Sequence, residues 1–422
     1  MNTSVLSSHP SSPNPTAAPR PLGEWVPPAD APRAARAALA LLRRLRQGTL
    51  ELQWPDGTTG RCGSGEGPRA SLVLRDWRAC TRALKSGDIG FAEGYIEGWW
   101  TTPDLAALMR LLVVNRDAID TLVYGHWWGR AWYRLRHWLR RNSRAQARRN
   151  IHAHYDLGNA FYQLWLDPSM NYSSAWFDGD AARSLEQAQH AKVQRALREC
   201  ALAPGQRLLE IGCGWGALAE TAAAQFGVHV TGVTLSTEQL AFARERLARQ
   251  GLAARADLRL QDYRDIDDGA FDAVCSIEMF EAVGREYWPA YFEALRRQLK
   301  PGGRACIQTI TIRDDLFDRY VHSTDFIQQY IFPGGLLPSR QAFVEQVRRA
   351  GLELVGEFAF GADYAETLRR WRHRFLDQEP QVRALGFDDR FLRIWEFYLA
   401  YCEAAFEAGN TDVVQFTLRR PA

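Results

Sequence analysis

From Pro204 to the end of the chain, short apolar runs alternate with amphipathic stretches, and no other feature limits the fold as tightly. QRLLEIG, VHVTGVTL, ADLRLQDY, FDAVCSI and RACIQTITI read as strands, too short for helices and bounded by glycine, proline or polar residues. Between them WGALAETAAAQFG, STEQLAFARERLARQG and YWPAYFEALRRQLKPGG carry helical periodicity. Ser236 is placed to cap the second of these helices, and Gly227 and Gly251 to end the first two. GLELVGEFAFG and TDVVQFTLRR supply two more strands. Strands separated by crossover helices lie parallel with helices on both faces, so the expected fold is α/β, a doubly wound, seven-stranded parallel sheet.

The turn after the first strand, in LLEIGCGWGALAE (208–220), places glycine at 212, 214 and 216. Ligands of such sheets bind beyond the carboxyl ends of the strands, and glycine there lets the backbone bend and approach a ligand closely. The spacing is G-x-G-x-G, not the G-x-G-x-x-G of dinucleotide folds, and no phosphate-loop Lys-Ser/Thr follows. The second strand ends in Thr234-Leu235-Ser236, without the acid that grips a ribose in an NAD site. The third ends in Asp262-Tyr263, an acceptor beside an aromatic face suited to adenine. The block from Glu210 to Gly216, with these strand ends, resembles the class I S-adenosylmethionine-dependent methyltransferases, which have a Rossmann-like sheet. The resemblance implies that the turn holds the amino-acid end of that cofactor, with Glu210 ordering the loop.

The remainder divides by composition. Residues 1–33, rich in Ser, Pro and Ala, read as a disordered tail. Residues 34–123 read as a smaller mixed α/β domain, with strand patterns in GTLELQWPDGTTGRC and a strand then a helix in ASLVLRDWRACTRALKSGD. Residues 124–150 carry eight arginines and four tryptophans (Trp127, Trp128, Trp132, Trp138). That segment reads as a solvated linker helix, as an interfacial helix with indoles at headgroup level and arginines on lipid phosphates, or, less well, as an RNA-binding stripe. Residues 151–422 form the cofactor domain. A net charge of +3 gives no general field for nucleic acid, and none is expected as a partner. Seven scattered cysteines without metal spacing read as reduced thiols, so no metal is expected. The N-terminus lacks the basic head and apolar stretch of a signal peptide, and the expected location is cytoplasmic.

Five blocks narrow the class: HYDLGNAFYQLWLDPSMNYSSAWF (154–177), SIEMFEAVG (276–284), YIFPGGLLPS (330–339), FGADYAETLRRWRHRFL (360–376) and YCEAAFEAGNTDVVQFTLRR (401–420). In this order they resemble the cyclopropane-fatty-acyl-phospholipid synthase family, including the mycolic acid cyclopropane synthases. GDIGFAEGYIEGWW resembles the N-terminal domain of the bacterial phospholipid-acting members. The resemblance implies methylene transfer from S-adenosylmethionine to the cis double bond of an unsaturated phospholipid acyl chain, at the inner face of a membrane, by a homodimer. It implies cofactor contacts at Tyr172, Ser173, Glu210, Gly212, Gly214, Gly216, Thr234, Gln239, Asp262 and Tyr263.

The same resemblance implies a bound bicarbonate as the base that takes a proton from the carbocation. Its holders match Glu281 and Tyr364. Where the family has cysteine and histidine, this chain has Ser174 and Gln308, and Ala282 follows Glu281 in place of another histidine. Ser and Gln donate hydrogen bonds but carry no imidazolium charge, so the anion is expected to bind more weakly or to give way to water. Cys402 completes the candidate catalytic set, although alkene methylation needs no thiolate and packing suffices as its role. Glu278 lies three residues before Glu281, where one turn puts both on the same face; one carboxylate is expected to serve the site and the other to be a solvated or capping group. His152 and His154 lack partners at metal or triad spacing and read as structural. Three alternatives stay open: a lipid C-methyltransferase giving methylene- or methyl-branched chains, a methyltransferase of a small polar metabolite, and a non-catalytic lipid-binding protein.

Overall fold

A computed structural model describes residues 25, 27–119 and 157–422. The arginine- and tryptophan-rich segment 124–150, His152, His154 and most of the expected tail lie outside the described residues. Within that tail, Trp25 and Ala31 are buried, and Trp25 meets Trp54 edge-on at 5.1 Å. Packed structure therefore begins before residue 33.

The N-terminal domain holds α1 (Arg33–Leu42), β1 (Thr49–Gln53), β2 (Thr59–Gly63), β3 (Arg69–Leu74), α2 (Arg78–Ile96), β4 (Trp100–Thr101) and α3 (Leu105–Val114). Its sheet has the order β2-β1-β3-β4. Leu50 and Leu52 of β1 and Ala70, Leu72 and Leu74 of β3 point to one side, as period-two alternation requires. Helix α2 is broken at Gly87 (φ 64°, ψ −137°), and the break brings Asp88 to the boundary with the second domain.

The second domain continues with α4 (Asn159–Trp165), α5 (Leu185–Glu199), β5 (Arg207–Ile211), α6 (Ala217–Gln225), β6 (His229–Thr234), α7 (Thr237–Arg249), β7 (Ala256–Leu260), β8 (Phe271–Ile277), α8 (Trp288–Gln298) and β9 (Leu299–Ile312). After β9 come α9 (Asp314–Val321), α10 (Phe326–Tyr330), α11 (Arg340–Arg349), β10 (Glu353–Ala359), α12 (Gly361–Asp377), α13 (Glu379–Ala384), α14 (Asp389–Glu407) and β11 (Thr411–Arg419). Ser236 caps α7 as expected, its hydroxyl accepting from Gln239 N at 3.3 Å. The sheet order is β10-β11-β9-β8-β5-β6-β7. The expected all-parallel sheet needs one correction: β11 runs antiparallel to both neighbours, slotted between β9 and β10. Its apolar run looks the same read in either direction, so the pattern carried no sign of its polarity.

The two domains share an apolar cluster that runs from Leu50 and Leu72 through Trp100 to Phe161, Trp371 and Trp395. Polar ties cross the same boundary. Asp88 accepts from Phe326 N and Tyr401 Oη, both at 3.2 Å, and Tyr95 Oη donates to Glu396 at 2.5 Å. Among the described residues, no helix is long and apolar enough to cross a membrane.

Candidate functional site

The glycine turn joins β5 to α6 and is pinned to β6, Gly212 N and Cys213 N both donating to Val233 O at 2.9 and 3.0 Å. Gly212 and Gly214 have φ of +87° and +49°. A Cβ on Gly214 would meet nothing within 4 Å among the described residues, so the bare backbone faces open space there. Gly216 differs: it precedes α6 at φ +84°, and a Cβ there would come within 2.9 Å of Ala243 Cβ. Its smallness serves the packing of α6 on α7.

That open space is a cavity of ≈ 540 Å³. Tyr172, Ser173, Glu210, Gly212, Gly214, Thr234, Gln239, Asp262 and Tyr263 all line it, as do Glu281, Tyr364 and Cys402. Gly216, Ser174 and Gln308 do not. The cavity continues into the N-terminal domain, where Leu39, Leu52, Leu72, Leu74, Met109 and Val113 form its wall. Of the aromatic stretches at 326–332 and 391–406, Phe332, Phe397, Tyr398, Tyr401 and Phe406 reach it. Phe391 and Trp395 instead pack on Phe161, at 5.3 and 5.0 Å.

The cofactor implied by the turn fits what surrounds it. Glu210, at the end of β5, is buried, and its Oε2 has no partner among the described residues, an oxygen left for a ligand. Burial holds its carboxyl well above the usual range, opposed by the charge of Lys192. Lys192, fully buried on α5, donates to Ser173 Oγ at 2.6 Å, and burial brings its ammonium down to about 8. Thr234 and Gln239 bond each other at 3.2 Å at the end of β6. Asp262 differs from the free acceptor expected, since Arg264 Nε and Nη2 donate to its two oxygens at 2.8 and 2.6 Å.

At the end of β8 the chain departs from expectation most clearly. Glu278 has φ +49°, a left-handed conformation that favours glycine. Its carboxylate accepts from Ser174 N at 2.8 Å and Gln308 Nε2 at 2.7 Å on Oε1, and from Tyr364 Oη at 2.7 Å on Oε2. Gln308 is fully buried, and Gln415 Nε2 donates to its Oε1 at 3.0 Å, so its amide nitrogen is turned toward Glu278. Three of the four groups expected to cradle a bicarbonate, Ser174 through its backbone N–H, Gln308 and Tyr364, thus cradle a side chain of the protein, and with Glu278 in place these donors do not fit a free anion. One of Glu278 and Glu281 was expected to serve the site and the other to be a solvated or capping group; both are buried and line the cavity. The available signals were the one-turn spacing of Glu278 from Glu281 and the coincident loss of cysteine and histidine at 174 and 308.

Glu281 also lines the cavity. Its Oε1 accepts from Thr309 Oγ1 at 2.9 Å and Ile310 N at 2.5 Å, while its buried Oε2 has no partner among the described residues. Burial, and then the charge of Glu278, pushes Glu281 up to about 8, which favours its protonated form at neutral pH. Burial also raises Glu278, opposed chiefly by its bond from Tyr364. The Cys402 thiol is pushed far up by burial and stays protonated, in keeping with a packing role.

A profile described as mycolic acid cyclopropane synthetase matches residues 142–416. This chain belongs to that family. Across the whole length, a tuberculostearic acid methyltransferase of Mycobacterium tuberculosis is 41% identical, over 94% of this chain and 95% of its own. The cyclopropane-fatty-acyl-phospholipid synthase of Escherichia coli is 37% identical, over 80% of this chain and 85% of its own. The solved structure of a mycolic acid cyclopropane synthase complexed with SAH and CTAB superposes with a TM-score of 0.61 at 33% identity, over 65% of this chain and 98% of that one. The family is one of S-adenosylmethionine-dependent methyltransferases acting on lipids, and the seven-stranded, mostly parallel sheet matches the fold of its solved cyclopropane synthases.

Proposed function

We propose that this enzyme methylates one carbon of a cis double bond within a phospholipid acyl chain and releases a methylene-branched chain. The observation that carries the reading is the single cavity joining the glycine turn to the apolar interior of both domains. Such a shape lets a flexible hydrocarbon reach a polar cofactor site without water, and the surrounding aromatic faces suit a passing cation. S-adenosylmethionine, when bound, supplies an electrophilic methyl group on a sulfonium sulfur. We assign its contacts to Tyr172, Ser173, Glu210, Gly212, Gly214, Thr234, Gln239, Asp262 and Tyr263.

In the proposed chemistry the alkene's π pair forms the new C–CH3 bond and leaves a cation on the neighbouring carbon. A hydride then moves from the methylated carbon to that neighbour, and loss of a proton from the methyl leaves a C=CH2 branch on the open chain. The whole-length likeness to a tuberculostearic acid methyltransferase favours this product over a ring. The likeness to the E. coli synthase supports a second reading: with no hydride shift, loss of the same proton closes a cyclopropane.

The test incubates purified protein with S-adenosylmethionine and vesicles of cis-unsaturated phospholipid, then analyses the acyl esters by gas chromatography–mass spectrometry before and after mild hydrogenation. A product heavier by one CH2 that takes up hydrogen is the branched chain. One that resists hydrogenation is the cyclopropane. No change in any acyl ester, with methylation of a small metabolite instead, would overturn the reading.

A further inference from the structure

We infer that Glu278 is the base of this enzyme, a carboxylate of the chain itself standing where a free anion would otherwise have to bind. The inference rests on the methyl-transfer reading above and names the group that completes it.

Several independent features of Glu278 agree. It sits at the carboxyl end of β8, beside β5 and its glycine turn, and its side chain lines the cavity. A residue other than glycine holds φ +49° there, a conformation that persists where the surroundings over-determine it and that clusters at functional sites. Ser174, Gln308 and Tyr364 fill three of the carboxylate's four acceptor positions, which leaves one on Oε2 for an incoming proton. Gln308 is itself locked by Gln415 on β11, so the base is oriented by a second layer. Among the described residues, the titratable groups whose charge acts on it are Lys192, held on Ser173, and Glu281, which burial pushes up to about 8. Glu278 accepts three bonds across both oxygens and Glu281 two on Oε1 alone, so hydrogen bonding favours the ionised form of Glu278 more than that of Glu281.

The proton balance is complete. Glu278 takes one proton from the new methyl group. The electron pair of that C–H bond closes the ring or forms the methylene double bond, and the protonated carboxyl returns its proton to solvent before the next turnover. No oxidant, reductant or bound bicarbonate is needed.

The experiment compares wild type, E278Q and E278G in buffer stripped of carbon dioxide and in buffer with added bicarbonate, with S-adenosylhomocysteine binding measured by calorimetry on each. Wild type is expected to work equally well in both buffers. E278Q is expected to bind S-adenosylhomocysteine normally and to lose roughly 10²–10⁴-fold in acyl methylation, the range carried by a general base. Glycine suits the backbone at 278, so E278G is expected to fold, to be inactive without carbon dioxide, and to recover activity when bicarbonate or formate fills the vacated cradle. A wild type that depends on bicarbonate, or an E278Q variant that retains most of its activity, would overturn the assignment of the base alone. A wild type that modifies no acyl chain would overturn the methyl-transfer reading, and the base with it.

Discussion

Replacing Tyr364 by Phe removes one donor from the Glu278 carboxylate and little else. Tyr364 is buried, its hydroxyl reaches Glu278 Oε2 at 2.7 Å, and Glu278 then keeps only the two donors on Oε1. Hydrogen bonds to charged groups contribute about 1.5–3 kcal/mol. At 1.36 kcal/mol per pKa unit, their loss raises a carboxyl by about 1–2 units. The sign is fixed because the Tyr364 bond favours the ionised form of Glu278. A base must be ionised to work, so Y364F needs a higher pH than wild type to reach its plateau. The acidic limb of kcat against pH is expected to move upward by about 1–2 units, with much of the rate recovered above it. The nearby titrating groups Glu281 and Lys192 receive no bond from Tyr364 and respond to the substitution only through the charge of Glu278. An unmoved acidic limb, with the rate lowered equally at every pH, would refute the reasoning and leave Tyr364 as packing.

Other consequences follow from the same geometry. Glu281 is held at about 8 in the fold against 4.5 as a free side chain, so the native state keeps a proton that the unfolded chain loses, and stability falls as pH rises from 4.5 to 8. E281Q removes that loss; urea unfolding should show it more stable than wild type at pH 8, with the advantage shrinking toward pH 5. G214A places its methyl in open cavity space and should weaken S-adenosylhomocysteine binding by about tenfold or more while costing about 1 kcal/mol of stability. G216A presses on Ala243 and should show the reverse balance, with a stability loss of about 1–3 kcal/mol. Ala83 lines the N-terminal part of the cavity, so A83F should shift preference toward shorter acyl chains without changing S-adenosylhomocysteine affinity. Salt should weaken vesicle binding more than cofactor binding if the arginines of 124–150 meet anionic headgroups, as flotation assays at two ionic strengths can check.

Much of the architecture was written in local pattern. The run from Arg207 to Ile312 yielded its strands, its helices and the Ser236 cap because each depends on neighbours in the chain. The polarity of β11 was not legible, since direction in a sheet is set by where the preceding helices deliver the chain. Nine of the ten expected cofactor residues converge on one cavity. Gly216 falls outside it because its neighbour is Ala243, a contact between helices that spacing does not encode. Ser174 and Gln308 looked like weakened anion ligands, and the missing piece was 30 residues before Gln308, on the adjoining strand end. Only the register of β8 against β9, which pairs Ile277 with Gln308, brings Glu278 to that amide. Substitutions at 174 and 308 that seemed to dismantle a site are the fitting of a different one.

The most direct test of the account gives the enzyme S-adenosylmethionine with a trideuterated methyl group, together with cis-unsaturated phospholipid vesicles, and counts deuterium in the acyl product by mass spectrometry. The account predicts label in the acyl chain with two deuteriums kept and one lost, whether the product is branched or cyclic, because the base draws its proton from the new methyl. Three deuteriums retained, or label in no acyl chain while the protein still binds S-adenosylhomocysteine, would contradict it.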